Sequence, residues 1–180
     1  MPLRPYQESG ILAIKNAWRE GHKSIVAVAP GGSGKTELAV TMTERAFAND
    51  FLIKDPSKQF DVWFLAHRQE LIDQPYRRYA KRGISAGIVK AGVKPNPLAR
   101  LQIASVQTLA NRVVVPTLRK KALVFIDEAH RCKAIQYLDI IGNLKRTYSE
   151  VYFTLLTATP YRGDHQGLSD VATKLIEITT

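Results

Sequence analysis

The chain has 180 residues, 45% of them hydrophobic and 23% charged, a balance that fits one globular domain with its own core and excludes collagen, coiled coil and a disordered tail. Lys and Arg number 26 against 16 Asp and Glu, a formal charge of +10. Nucleic acid is therefore the first expected partner, with an acidic protein partner or plain solubility as the alternatives.

The amino terminus, Met1–Gln7, lacks the apolar run of a signal peptide. Cys132 is the only cysteine, so no intrachain disulfide framework exists and a reducing compartment is expected, the cytoplasm, with the nucleus equally open. No stretch approaches the ~20 apolar residues that span a bilayer, so no membrane partner is expected. The first apolar run, Ile25–Ala29, leads into Ala29-Pro30-Gly31-Gly32-Ser33-Gly34-Lys35-Thr36 and then a helix-like stretch over Thr36–Phe47. A Gly-rich loop between a strand and a helix can turn successive backbone N–H groups onto a phosphate, and the helix amino terminus adds partial positive charge. Lys35 can reach the β- and γ-phosphates and the Thr36 hydroxyl can ligate Mg2+. The pattern of such a loop begins with Gly, where this chain has Ala29.

Val62–Ala66 is the next run, followed by His67-Arg68-Gln69-Glu70 and a helix expected over Gln69–Tyr79. A weaker run, Ile84–Val89, precedes the loop-rich tract Gly92–Pro97, in which Pro95 and Pro97 flank Asn96. Leu101–Ala104 leads into Ser105-Val106-Gln107-Thr108, with a helix expected from Leu109 onward. Leu123–Ile126 ends in Asp127-Glu128-Ala129-His130, ahead of a helix over Ala134–Leu144. A carboxylate at the end of an apolar strand beside a phosphate loop can hold Mg2+, and Glu128 next to it suits activation of a water. Val151–Leu156 then ends in Thr157-Ala158-Thr159-Pro160, and Leu175–Ile178 is a last weak strand.

Several runs are apolar at every position, as in strands covered on both faces, and they alternate with helix-length segments. This predicts an α/β fold: a mainly parallel sheet of about seven strands with helices on both faces. In such a sheet ligands bind outside the carboxyl ends of the strands, where the polar clusters would converge.

Six elements in this order resemble the first RecA-like P-loop motor domain of superfamily 2 DEAD/DEAH-type helicases. The resemblance is nearest to bacterial and phage DNA helicases related to restriction-enzyme translocating subunits, and it covers nearly the whole chain. Leu3–Gln7 resembles the family's adenine-recognition element, the 29–36 loop and Asp127–His130 its motifs I and II, and Leu65–Leu71 its motif Ia. Ser105–Leu109 is similar to motif Ic, and Thr157–Pro160 to motif III, with Arg162 at a commonly basic position.

The resemblance implies ATP and Mg2+ as cofactors. ATP would be bound by Arg4, Tyr6, Gln7, Gly31, Gly32, Ser33, Gly34, Lys35 and Thr36, with Gln7 reading the adenine edge. Thr36 and Asp127 would hold the metal, and Glu128, Lys35 and Asp127 would serve catalysis. His130, Thr157 and Thr159 would couple the nucleotide site to the nucleic-acid face, and His67, Arg68, Gln107 and Thr108 would contact phosphates of the strand. DNA is favoured over RNA as partner.

A superfamily 2 motor uses a second RecA-like domain, which supplies arginine fingers worth ~10³–10⁵ in rate. The expectation is one helicase ATP-binding domain over residues 1–180, with the second domain outside this chain and provided in cis or in trans. The isolated chain would then hydrolyse ATP weakly or not at all. A non-hydrolysing nucleic-acid-binding accessory protein stays open as an alternative, although Lys35, Asp127 and Glu128 together speak for turnover. A phosphotransferase of small substrates is disfavoured by Tyr6-Gln7 and Thr157–Pro160. His130 and Cys132 form a His-x-Cys pair, but His22, His67 and His165 complete no zinc-ligand spacing. Trp18 and Trp63 are expected in the core, while Lys90–Lys94 and Arg119–Lys121 could touch DNA or form a solvated face.

Overall fold

The structure, a computed structural model, describes residues 3–68, 71–90, 92–94, 96–111, 114, 117–131, 134–159, 168 and 171–179. Gln69, Glu70, Pro95, Cys132, Pro160, Arg162 and His165 lie outside the described residues.

The described elements are, in chain order, α1 (Pro5–Arg19), β1 (Ser24–Val28), α2 (Lys35–Asp50), β2 (Phe60–Ala66), α3 (Asp73–Lys81), β3 (Ala86–Val89), β4 (Leu101–Ser105), α4 (Val106–Ala110), β5 (Lys121–Ile126), α5 (Ala134–Thr147), β6 (Glu150–Thr157) and β7 (Lys174–Glu177). Short 3-10 turns cover Pro56–Lys58 and Ala129–Arg131. The seven strands form one sheet in the order β3-β4-β2-β5-β6-β1-β7, and every neighbouring pair is parallel.

The continuous apolar runs are explained by the two cores they serve. Ile25, Ala27, Val62, Phe64 and Phe125 face one hydrophobic cluster with Ile11 and Ile14 of α1, Leu38 and Val40 of α2, and Tyr79 of α3. The intervening residues Val26, Trp63, Leu65, Val124 and Ile126 face a second cluster with Leu109 of α4 and Tyr137, Ile140 and Leu144 of α5. Successive side chains of a strand point to opposite faces, so a strand covered on both must be apolar throughout.

Two helix expectations are corrected. The helix expected over 69–79 begins only at Asp73. No described helix runs onward from Leu109. Instead α4 starts at Val106, because the Ser105 Oγ accepts the Thr108 N–H at 3.2 Å and caps it, and it stops after five residues at Ala110. The 15-residue α1 is a further element, entered through Pro5 at its first position.

At the amino-terminal edge of the sheet two buried carboxylates tie loops to strands. Asp50, 2% exposed, pairs with Arg100 and accepts the Phe60 N–H at 2.7 Å. Asp61, 3% exposed, pairs with Arg119 at 3.2 Å and accepts from Thr117 at 2.7 Å and Tyr148 at 3.2 Å. The opposite, carboxyl edge collects the polar loops.

Candidate nucleotide and nucleic-acid site

The loop from Ala29 to Gly34 leaves β1 and closes into α2 through Gly34, which caps the helix at φ +84°, while Gly32 stands at φ +74°. Both lie in the left-handed region that glycine enters without steric cost. Ala29 N–H donates to the Thr157 carbonyl at 2.9 Å, tying the start of the loop to the end of β6. The Lys35 ammonium donates to the Ala29 and Pro30 carbonyls at 3.3 and 3.4 Å, so it is poised across the loop.

Arg4, Tyr6 and Gln7 meet this loop directly. Gln7 is buried, its amide donating to the Ser33 carbonyl at 2.8 Å and accepting the Arg4 N–H at 2.9 Å. The Tyr6 hydroxyl donates to the same carbonyl at 3.0 Å, and Arg4 reaches that hydroxyl at 3.3 Å. The resemblance had assigned Gln7 to the adenine edge. In this structure its amide latches the phosphate loop and keeps one N–H and one lone pair, the groups that reading an adenine edge requires. A Cβ built on Gly34 would stand 2.5 Å from the Gln7 Nε2, so the glycine also makes room for the latch.

Asp127 and Glu128 follow β5. The Asp127 N–H donates to the Leu65 carbonyl at 2.9 Å, extending the β2–β5 pairing to the site. Burial pushes the Asp127 carboxyl above the usual carboxylate range and the Glu128 charge adds to it; the Glu128 N–H, Lys35 and Arg78 pull the other way. A desolvated carboxylate with no cation paired to it among the described residues suits a metal ion. Glu128 has φ +51°, and it alone among the described non-glycine residues has a positive φ. Such strain is kept where the surrounding structure holds a side chain for function.

A continuous polar chain joins Glu128 to β6. The His130 Nδ1 lies 3.5 Å from the Glu128 Oε2 and 2.9 Å from the Thr157 Oγ1. Thr157 is fully buried; its hydroxyl donates to the Thr159 carbonyl at 2.6 Å and accepts the Thr159 N–H at 3.1 Å. With the single hydroxyl proton spent on that carbonyl, His130 must supply the proton at 2.9 Å, which assigns Nδ1–H as its tautomer. The acceptor Nε2 then takes the Arg131 Nε–H at 3.4 Å. Thr159 joins this chain through its backbone.

The expected strand-contact residues divide. Arg68 and Gln107 are exposed at the carboxyl edge, whereas Thr108 is half-buried and bonds the Ser105 hydroxyl at 2.7 Å. His67 turns inward: its Nδ1 is buried, with no partner among the described residues. Burial holds its imidazole below the ordinary range, reinforced by Arg131, Arg68 and His130, with Glu128 opposing. His67 thus sits in the electrostatic field of the acidic centre. Arg131 and Arg78, which also act on that centre, were missed from the sequence; for Arg131 its place directly after Asp127–His130 was the available signal.

Residues 1–162 match the family model described as type III restriction enzyme, res subunit. The chain is 31% identical over 183 residues to the Saccharomyces cerevisiae protein IRC3, whose name describes an ATP-dependent helicase, covering 97% of this chain and 26% of that protein. It is 32% identical over 148 residues to a 51.5 kDa protein of a Lactococcus phage, covering 82% of this chain and 27% of the relative. The chain therefore spans about a quarter of the length of the curated relatives it matches. Among solved structures, the helicase domain of Pyrococcus furiosus Hef superposes with a TM-score of 0.70 at 20% identity, over 98% of this chain and 38% of that one. The Sulfolobus solfataricus SWI2/SNF2 ATPase core, solved with dsDNA, gives a TM-score of 0.58 at 17% identity, over 89% of this chain and 32% of the other. These superpositions identify the sheet as a RecA-like helicase fold.

Proposed function

The chain belongs to the type III restriction enzyme res-subunit family, and on that premise we propose that it is the ATP-binding motor unit of an ATP-dependent nucleic-acid helicase or translocase, acting on DNA in preference to RNA. The observation that carries this reading is the polar chain Glu128–His130–Thr157–Thr159, which links the acidic strand end to the next strand beside the phosphate loop. A mere nucleotide-holding module has no chemical need for such a link.

In this reading the N–H groups of residues 31–34 and the Lys35 ammonium hold the β- and γ-phosphates. Gln7 and Tyr6 keep the loop in shape, and the remaining hydrogen-bonding capacity of Gln7 meets adenine. The Thr36 hydroxyl and the Asp127 carboxylate would hold Mg2+, a donor set suited to an ion that keeps several waters and takes its other ligands from phosphate. When bound, the ion neutralises charge developing on the transferring phosphoryl group. Glu128 takes the proton of the attacking water on its carboxylate while that water's oxygen bonds to the γ-phosphorus and the bond to the ADP oxygen breaks. His130 gives its Nδ1 proton to Thr157 and stands 3.5 Å from the Glu128 carboxylate, so a change of charge at that carboxylate acts on the His130–Thr157 bond through its field. Arg68, Gln107 and Thr108 meet the strand's phosphates, which position rather than specify.

Residues 1–180 act as the first of two RecA-like domains, the second contributing arginine fingers in cis or in trans, so the chain by itself turns over weakly. A cytoplasmic setting fits the single cysteine; among the described residues no helix is long and apolar enough to cross a membrane. Steady-state ATP hydrolysis with and without single- and double-stranded DNA, beside a Glu128→Gln variant, tests the reading. Weak turnover that rises with DNA and is abolished by the substitution supports it; robust turnover by this chain alone removes the need for a second domain, and equal turnover in the variant removes Glu128 from the chemistry.

A further inference from the structure

A second basic surface lies on α3, beside the residues described above. Arg77, Arg78 and Lys81 of α3, with Arg82 at its C-cap, place four cations within six residues. Together with Gln74 and Asp73 of the first turn and Glu37 of α2 they line one groove of ≈ 710 Å³ between the two helices.

The cations of this groove have separate tasks. Glu37 pairs with Arg82 and stands 3.9 Å from Arg78, and Glu44 takes Arg82 at 3.0 Å. These pairs hold two guanidinium groups fixed in the wall. Arg77 and Lys81 are exposed, and their side chains form no ion pair or hydrogen bond among the described residues. They stand one helical turn apart on one face, about 6 Å along the axis, close to two steps of a DNA strand at about 3.4 Å each. The groove adjoins the site already described. Asp73 and Gln74 open α3 just after the loop that carries Arg68 from the end of β2, and Arg82 at the other end pairs with Glu37 in the first turn of α2.

We propose that the α2–α3 groove is a second nucleic-acid contact, binding the phosphate backbone through Arg77 and Lys81 and continuing the path that starts at Arg68. The proposal rests on the reading of the chain as a nucleic-acid motor. Arginine in the wall suits phosphate oxygens, and the pre-paired Arg78 and Arg82 lose little side-chain freedom when an anion arrives. Such contacts carry no base specificity.

The test is fluorescence anisotropy with a labelled mixed-sequence DNA duplex, titrated at several salt concentrations, using wild type, the double variant Arg77→Ala with Lys81→Ala, Arg68→Ala, and Arg45→Ala as a control cation paired with Glu8 on another face. Loss of two phosphate contacts lowers the slope of log affinity against log salt by about 1.8, so raising salt from about 50 to about 200 mM costs the double variant about 12-fold less affinity than wild type. Arg45→Ala should bind as wild type, and thermal melting checks that each variant is folded. A double variant with wild-type affinity and slope, alongside an Arg68→Ala that still loses affinity, overturns the groove and leaves the motor reading standing. Wild-type protein that binds the duplex with no salt dependence, or not at all, overturns both. An acidic protein partner for the groove would give the first of these outcomes.

Discussion

Replacing Gln7 by Ala separates the two roles open to that residue. The substitution removes the 2.8 Å bond to the Ser33 carbonyl and the 2.9 Å bond from the Arg4 N–H. Tyr6 keeps the Ser33 carbonyl satisfied at 3.0 Å, so the loop loses one of its two ties to α1 rather than both. A net hydrogen bond contributes about 0.5–1.5 kcal/mol, and with the loop's order needed for phosphate binding, about 1 kcal/mol becomes roughly a 5-fold loss of nucleotide affinity. The two lost bonds together should lower the melting temperature by roughly 3–6 °C in a chain of this size. The assay is competitive displacement of a fluorescent nucleotide by ADP and by GDP, with calorimetric melting in parallel. A latch acts on the phosphates, so Gln7→Ala weakens both nucleotides by the same factor, and any contact to adenine appears as a further loss confined to ADP. Unchanged GDP affinity together with an unchanged melting temperature would refute the latch.

Three other perturbations follow from the same structure. Burial holds the Asp127 carboxyl above its unfolded value, so the folded chain takes up its proton first and stability falls as pH rises from the ordinary carboxylate range through the raised value. Asp127→Asn should therefore melt higher than wild type at neutral pH, converge with it below about pH 4, and lose Mg2+-dependent nucleotide binding; a lower neutral melting temperature contradicts the burial argument. Thr157→Val deprives the His130 Nδ1–H and the Thr159 N–H of a buried acceptor, at about 1–3 kcal/mol. It should retain nucleotide binding while losing DNA stimulation of hydrolysis, and full stimulation would break the proposed link. Asp61→Ala leaves Arg119 and Tyr148 facing a hole at the far edge of the sheet. Urea unfolding should show a loss of about 3–5 kcal/mol, with nucleotide affinity retained in the folded fraction.

The five inner strands were legible because burial on both faces makes them apolar at successive positions, as Ile25-Val26-Ala27 shows by sending its side chains alternately to the two cores, whereas the edge strands β3 and β7 are only partly covered and read as weaker runs. The loop at 29–36 and the pair Asp127-Glu128 stood out in the sequence because the phosphate and metal chemistry proposed for them restricts residue type and spacing. What escaped depends on contacts far apart in sequence. The latch joins Gln7 to a carbonyl 26 residues away, and the clamp of Asp61 reaches Arg119 at a separation of 58; neither leaves a local pattern. His67, expected beside Arg68 at the strand, also feels the charges of Arg131, His130 and Glu128, neighbours that its place after β2 does not reveal. The helix expected from Leu109 onward failed for a local reason, since the Ser105 cap starts the turn three residues sooner than the apolar residues suggest.

The most direct test of the account is calorimetric titration of the chain with ATP and Mg2+, beside Lys35→Ala. Among the described residues Lys35 makes two long bonds, both to loop carbonyls, so its removal should leave the melting temperature of the ligand-free chain close to wild type. The account predicts one saturable, Mg2+-dependent site in the wild type, displaced by ADP, and loss of that site in the variant. Undiminished binding by Lys35→Ala, or a wild-type chain that binds no nucleotide, would contradict it.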